Sequence, residues 1–280
     1  NYINFIWKKF QRLMIPYFFA SIVVITIKLL TETGMLVENP VELSAFYKML
    51  YLPVAGAFLW FVFALFLTFM IIPFFITRKQ ILTLLILSLI IYFIPVSFPK
   101  IFCLAQFKSN LLYFVLGCVL FEWKNVRQVL DKIHYLLALI AFVSIYLLKT
   151  HIDINVINNI LRILTAFIGV IFISNLSKQI ETKTIITKNI LVKLSVYSYS
   201  IYLFHTTFEG FVKAIVFRLH PSIIDLNKQL VFVPAALIVI LVGIIGPIAL
   251  HSIIANYSRL FSFFIGTKYK TPSIKPNTST

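Results

Sequence analysis

The amino-acid sequence predicts an all-α protein, a polytopic integral membrane helical bundle with about eight transmembrane helices. Three observations support this fold class. Hydrophobic residues make up 60% of the 280 positions and charged residues 12%, and the mean hydropathy is +0.97, whereas about a quarter of the residues in soluble proteins are charged. Apolar runs long enough to cross a bilayer recur along the chain. Lys and Arg are concentrated in alternate connections between those runs.

Eight apolar runs bounded by charged residues are the predicted crossings. In chain order they are 13–30, 55–76, 80–97, 109–122, 133–149, 160–177, 194–217 and 229–251. The second and last runs are the clearest, because their cores contain no Asp, Glu, Lys or Arg. The fourth run is short enough that its ends could be interfacial. We therefore expect one membrane domain over 1–266, followed by a polar, Pro-containing cytoplasmic tail over 267–280 that is predicted to be disordered.

The distribution of positive charge predicts the orientation of the chain. Sixteen of the 25 Lys and Arg residues fall on one side of the predicted topology, and the positive-inside rule makes that side cytoplasmic. They are Lys8, Lys9, Arg12, Arg78, Lys79, Lys124, Arg127, Lys132, Lys178, Lys183, Lys188, Lys193, Arg259, Lys268, Lys270 and Lys275. Both termini are then cytoplasmic, as an even number of crossings requires, and the loop around 31–50, which contains Glu32, Glu38 and Glu42, faces outward.

The net charge of +16 is better explained by this topology than by nucleic-acid binding. The basic residues form short clusters between apolar runs and no basic stripe or folded basic module, so we expect the lipid bilayer, and no nucleic acid, as a partner. Cys103 and Cys118 have neither disulfide-framework nor metal-site spacing, and no metal or bound cofactor is expected. The chain begins at Asn1 without a signal-peptide pattern, and we expect further sequence upstream.

The seventh run carries an unusual polar stripe. Ser195, Ser198, Tyr202, His205 and Glu209 follow one another at spacings of 3, 4, 3 and 4 residues, which confines them to about 80° of a helix surface. The histidine lies about 18 Å along the axis from the predicted cytoplasmic end, near the middle of the hydrocarbon layer. Ionisable residues at that depth are costly when they face lipid, so the stripe should face the bundle interior or a watered cavity.

The chemistry of the stripe is consistent with catalysis. A neutral imidazole at His205 can take a proton from a hydroxyl, while a carboxylate one turn away, Glu209, orients the ring. The alternative is structural, because Ser, Tyr and His also join membrane helices through hydrogen bonds. Arg12 has a similar pair of interpretations. With its basic neighbours it can hold phosphate groups of a ligand at the cytoplasmic mouth, or it can serve as a positive-inside anchor.

Several segments resemble one known family. "SYSIYLFH" (198–205) is similar to the S-x-x-x-Y-L-x-H element of the membrane acyltransferase 3 family, through Ser198, Tyr202, Leu203 and His205. The other resemblances occur in the same order as in that family and are looser. They are "WKKFQRLMIPYFF" (7–19) to the R-x-x-x-P-Y lead into the third membrane helix, "LWFVFALF" (59–66) to L-W-F-L-x-A-L, and "NLLYFVLG" (110–117) to Y-F-x-x-G.

This resemblance implies a multi-pass O-acyltransferase of the inner membrane. Members of the family have ten helices and transfer acetyl or similar groups, typically from a cytoplasmic thioester donor, to sugars of surface polymers or to exported small molecules. Here it implies acetyl transfer from acyl-CoA to a carbohydrate hydroxyl. His205 and Tyr202 would shape or polarise the cavity, Ser198 would supply a hydrogen bond, and Arg12 would bind the phosphates of the acyl-CoA donor. A start at the third-helix lead implies that the first two helices are absent, so we expect a fragment or a truncated paralogue. Those helices carry the family's R/K-x10-H motif, whose histidine is the usual candidate for the catalytic base and in the whole protein would share or dominate that role.

Two other functions remain open at this point. In a polysaccharide or small-molecule transporter or flippase, the stripe would line a translocation path and no bond would be made, although no internal repeat is apparent in the sequence. In an inactive membrane assembly subunit, the helices would fold without binding a thioester.

Overall fold

The computed structural model describes residues 1–31, 40–152, 154–183, 185–219 and 229–266. The predicted cytoplasmic tail over 267–280 lies outside the described residues, as do His220 and two acidic residues of the predicted outward loop, Glu32 and Glu38. Within the described part the chain is helical, which confirms the all-α fold class.

Eleven α-helices and three short 3-10 turns form the described part of the chain. The α-helices are α1 (Tyr2–Thr31), α2 (Ala45–Lys48), α3 (Trp60–Ile71), α4 (Arg78–Phe93), α5 (Leu104–Glu122), α6 (Lys124–Asp131), α7 (Tyr135–Thr150), α8 (Asn155–Lys183), α9 (Ile185–Leu219), α10 (Gln229–Tyr257) and α11 (Arg259–Phe264). The 3-10 turns are Ala57–Leu59, Ile72–Phe74 and Ile101–Cys103.

Every one of the eight predicted apolar runs lies on a helix, but the structure does not confirm eight crossings. Five segments among the described residues are long and apolar enough to span a membrane: Tyr2–Thr31, Ala57–Phe74, Ile101–Glu122, Val156–Thr182 and Phe232–Tyr257. A sixth is possible if α6 and α7, which meet at a bend of 93°, count as one broken span. Helix α4 has 16 residues, about 24 Å, and the polar stripe lowers the hydropathy of α9.

The chain divides into two compact units. The first comprises 1–66, 101–103 and 195–280, and so contains α1, the start of α3, most of α9, α10 and α11. Its buried side chains include Tyr17, Leu59, Val62, Leu203 and Ile265. Helix α11 closes against α1, where the rings of Phe19 and Phe264 stack at 5.5 Å. Two residues after the end of α11, Gly266 has a positive φ of 70°, and a Cβ there would lie 3.2 Å from Cγ of Pro16 and 3.4 Å from Cε1 of Tyr199.

The second unit comprises 67–100 and 104–194. In it α4 packs along α5 and α7 packs along α8, and Leu84, Leu111 and Val115 form a buried apolar cluster between α4 and α5. The start of α4 is fixed by a capping box in which Thr77 and Gln80 each bond the other's backbone N–H. These local bonds position the basic start of α4 beside the end of α5, where Arg78 pairs with Glu122 at 2.8 Å.

Candidate functional site

The loop before α3 is held against α1 by Tyr17, within the first unit. The Tyr17 hydroxyl lies 2.9 Å from the carbonyl oxygen of Met49 and 3.2 Å from that of Leu52, and the side chain is fully buried. A buried hydroxyl that donates to loop carbonyls satisfies backbone groups that a helix would otherwise pair. The loop that leads to Phe58 therefore has a fixed path.

Phe58 connects this loop to the polar stripe on α9. Its carbonyl oxygen accepts a 2.7 Å hydrogen bond from the Tyr202 hydroxyl, and its ring lies 5.5 Å from the Tyr202 ring in a T-shaped arrangement. The same ring lies 4.9 Å from the imidazole of His205. The Tyr202 hydroxyl thus donates its proton to a backbone carbonyl. This hydrogen bond holds the segment that contains Phe58 against α9, beside His205.

The imidazole of His205 is oriented by its own helix. Its Nδ1 atom lies 3.0 Å from the carbonyl oxygen of Ile201 and 3.0 Å from that of Tyr202. A carbonyl oxygen only accepts hydrogen bonds, so Nδ1 carries the proton that is donated. In the neutral ring the Nε2 atom then bears the free lone pair. The geometry supplies a proton acceptor with a defined tautomer on the half-buried part of the stripe.

Glu209 and Ser198 make different contacts from those that the sequence suggests. Among the described residues no hydrogen bond joins Glu209 to the imidazole. Its Oε1 atom lies 2.7 Å from where a Cβ on Gly243 would be, which places the carboxylate over α10. The Ser198 hydroxyl donates to the carbonyl of Ser195 at 2.8 Å, and its side chain is exposed. Backbone carbonyls, and not Glu209, therefore orient the His205 ring. The catalytic roles of Glu209 and Ser198 stay predictions.

Contacts of Tyr199, a neighbour of the polar stripe on α9, place Arg12 close to that helix. The Tyr199 hydroxyl donates to the carbonyl of Leu13 at 3.1 Å and interacts electrostatically with the Arg12 guanidinium. The Tyr199 ring is nearly parallel to that of Tyr202, at 6.4 Å. His205 lies six positions after Tyr199 on α9, about 9 Å along the helix axis. The exposed Arg12 side chain and the His205 imidazole therefore both belong to the first unit, and the α9 residue beside Arg12 lies less than two turns from the histidine.

A second histidine contact joins α9 to α10. The Oγ atom of Ser200 lies 2.8 Å from Nδ1 of His251, and both side chains are buried. The Tyr197 ring meets the imidazole in a T-shaped contact at 4.8 Å. The sequence assigns His251 only to a helix end, since residues 51 positions apart have no detectable spacing pattern. Cys103 also belongs to this unit: it is buried and, like Phe102, has a positive φ, 58° and 52° respectively.

Within the described residues no three His, Cys, Asp or Glu side chains are grouped closely enough to hold a metal ion. The sequence patterns did not predict the contacts made by Tyr17, Phe58 and Tyr199. Tyr17 could have been found from the P-Y pair of the α1 segment, and Tyr199 from its place three residues before Tyr202. Phe58 contributes a carbonyl and a ring from a loop, where no periodic pattern points to it.

The helical fold and the apolar spans define a multi-pass membrane protein, and its first unit carries a histidine with a defined tautomer. A family model described as an acyltransferase domain, that of the acyltransferase 3 family, matches residues 1–252. The chain belongs to that family and is a membrane acyltransferase domain. Comparisons with curated proteins and with solved structures find no match for this chain.

Proposed function

We propose that this protein transfers an acetyl group from a cytoplasmic acyl-CoA to a hydroxyl of a cell-surface or exported polysaccharide. The observation that carries the proposal is the backbone-bound Nδ1–H of His205, which leaves Nε2 as a proton acceptor. The family match supports acyl transfer as the reaction. The acetyl group and the carbohydrate acceptor come from the resemblance of the Ser198 to His205 segment.

The proposed reaction uses the imidazole first as a base and then as an acid. Nε2 of His205 takes the proton of the acceptor hydroxyl while the hydroxyl oxygen attacks the thioester carbonyl. A C–O bond forms and the C–S bond breaks. The departing CoA thiolate receives the proton from the imidazolium, which restores the neutral ring. Tyr202 holds the Phe58 loop against the ring during these steps, so that water is excluded from one side of the imidazole.

Arg12 is proposed to bind the phosphates of the donor. It is exposed, and it is adjacent to Tyr199 on the path to His205. A guanidinium can form two parallel hydrogen bonds to a phosphate. We also propose that the start of α1 and the tail over 267–280 lie on the cytoplasmic side of the inner membrane, as the distribution of Lys and Arg predicts.

Label transfer in membranes tests this function. Membranes that contain the full-length protein are given radiolabelled acetyl-CoA, and the label that becomes bound to envelope carbohydrate and is released by mild alkali is counted. We expect alkali-labile label only when the protein is present, because an O-acetyl ester is the product. Protein-dependent movement of unlabelled carbohydrate across vesicles, with no transfer from acetyl-CoA or a longer acyl-CoA, would instead favour a transporter.

Replacement of Arg12 by Gln should raise the KM for acyl-CoA about tenfold and leave kcat little changed, because a charge-assisted hydrogen bond to phosphate is lost. The matched control is Lys79→Gln, which removes an exposed cation at the start of α4, outside the basic cluster of α1. If Arg12 is only a positive-inside anchor, the two variants will have the same KM as the wild type and differ only in membrane insertion. Initial rates at varied acyl-CoA concentration distinguish these results.

A further inference from the structure

A groove of about 280 Å³ lies in the second unit, among α5, α6 and α8. Its lining combines apolar side chains with four polar or charged ones. The lining residues are Gly117, Leu120, Phe121, Arg127, Leu130, Asp131, Val170, Ile171, Ser174 and Asn175. Phe121 is 76% exposed beside it. A groove that combines apolar walls with charged groups matches an amphipathic ligand with one charged end.

Helix α6 forms one side of this groove and is amphipathic. Its valines, Val126 and Val129, are exposed and lie on one face, whereas Lys124 and Arg127 lie on another. The helix meets α7 at 93°. Asn175 of α8 holds this bend, since its Nδ2 atom donates to the carbonyls of Leu130 and Ile133 at 3.0 and 2.8 Å. A charged amphipathic helix turned across a neighbouring apolar helix is typical of a segment that lies in the membrane interface.

The polar part of the groove has excess positive charge. Arg127 is only loosely paired with Asp131, at 3.9 Å, and its side chain is 57% exposed. The Asp131 carboxylate is also bound by Lys178, so it cannot neutralise both cations. Exposed Lys124 and Lys132 lie at the two ends of α6. Among the described contacts, the Arg127 guanidinium therefore has no close carboxylate partner for its N–H groups. An anionic ligand could accept hydrogen bonds from them.

We propose that this groove binds one anionic glycerophospholipid of the surrounding bilayer. The lipid phosphate lies against Arg127, and an acyl chain follows the apolar wall formed by Leu120, Phe121 and Val170. Charge complementarity selects this occupant. A zwitterionic lipid would bring a cationic headgroup towards Arg127 and Lys178 together with its phosphate, whereas an anionic lipid brings the phosphate without that cation. The site contains none of the residues assigned to acyl transfer, and the inference does not depend on that proposal.

Two substitutions test the site. Gly117→Leu places a bulky side chain in the groove, at a position where an added Cβ meets no atom within 4 Å. Arg127→Gln removes the cation. The purified full-length protein is placed in nanodiscs of phosphatidylcholine that contain a photoactivatable phosphatidylglycerol, and the crosslinked fraction is measured. We expect Arg127→Gln to reduce crosslinking to the α5–α6 segment about fivefold, the effect expected of one cation at an anionic surface. Gly117→Leu should also reduce it, because the added side chain occupies the groove.

The controls are matched to each change. Gly210→Leu adds the same side chain at another glycine whose Cβ position is open, and Lys193→Gln removes an exposed cation outside the groove. Both should crosslink like the wild type. Equal losses of crosslinking for Arg127→Gln and Lys193→Gln would show only a general attraction of anionic lipid and would overturn the proposal. Unchanged crosslinking of the Arg127→Gln variant would also overturn it. Similar crosslinking of a photoactivatable phosphatidylcholine would overturn the charge selection.

Discussion

Replacement of His205 by Ala should lower acyl transfer at least about 100-fold, the range expected for loss of a general base, and leave the amount of protein in the membrane unchanged. The imidazole is held by the Ile201 and Tyr202 carbonyls of its own helix, and the side chain is only half buried. Its removal therefore frees two carbonyls that already have helical partners and opens no large cavity. The measurement is label transfer from acetyl-CoA to envelope carbohydrate per mole of membrane protein.

His151→Ala is the matched control for that experiment. His151 is an exposed residue at the end of α7 and belongs to the second unit, so its loss removes an imidazole that is not part of the candidate site. We expect its transfer rate to equal that of the wild type. Wild-type rates in His205→Ala would remove this residue from the chemistry. Equal losses in both histidine variants, with reduced protein in the membrane, would show that the assay reports folding and would remove the catalytic assignment.

The helical fold was largely predictable because the bilayer limits what a chain can do. Backbone groups in hydrocarbon must be satisfied within a helix, so an apolar run of sufficient length implies one, and each of the eight runs lies on a helix. The number of crossings is less predictable. Helix α4 is short, the polar stripe makes α9 ambiguous by hydropathy, and the 93° bend between α6 and α7 depends on Asn175, a residue 45 positions away from the carbonyl of Leu130.

The site was predictable only where helical spacing decides it. A spacing of three and four residues places Tyr202, His205 and Glu209 on one face, but it does not fix their rotamers. The sequence suggested that the Glu209 carboxylate orients the His205 ring. In the structure, two backbone carbonyls of the preceding turn lie 3.0 Å from Nδ1 of His205 and orient it instead. The contacts to Phe58 and His251 come from distant segments, and only the folded chain brings them together.

The close approach of α9 and α10 leads to the last prediction. A Cβ on Gly246 would lie 2.3 Å from Cδ1 and 2.5 Å from Cγ of Phe208. These atoms are near the root of the ring, so a small rotation at its far end cannot relieve the clash. Gly246→Ala should therefore destabilise the protein by about 1–3 kcal/mol, the usual effect of overpacking. Thermal unfolding of the detergent-solubilised protein, followed by the loss of the monodisperse peak, measures the change.

Gly210→Ala separates packing from helix propensity in this experiment. Ala is favoured over Gly inside a helix by about 0.5–1 kcal/mol, and a Cβ on Gly210 meets nothing within 4 Å. The same substitution on the neighbouring helix should therefore raise the unfolding temperature, while Gly246→Ala lowers it. If both variants were stabilised, α9 and α10 would have to lie farther apart than the Phe208 contact requires. Because Phe208 is three residues beyond His205, the destabilised variant should also lose acyl transfer at temperatures where the wild type is active.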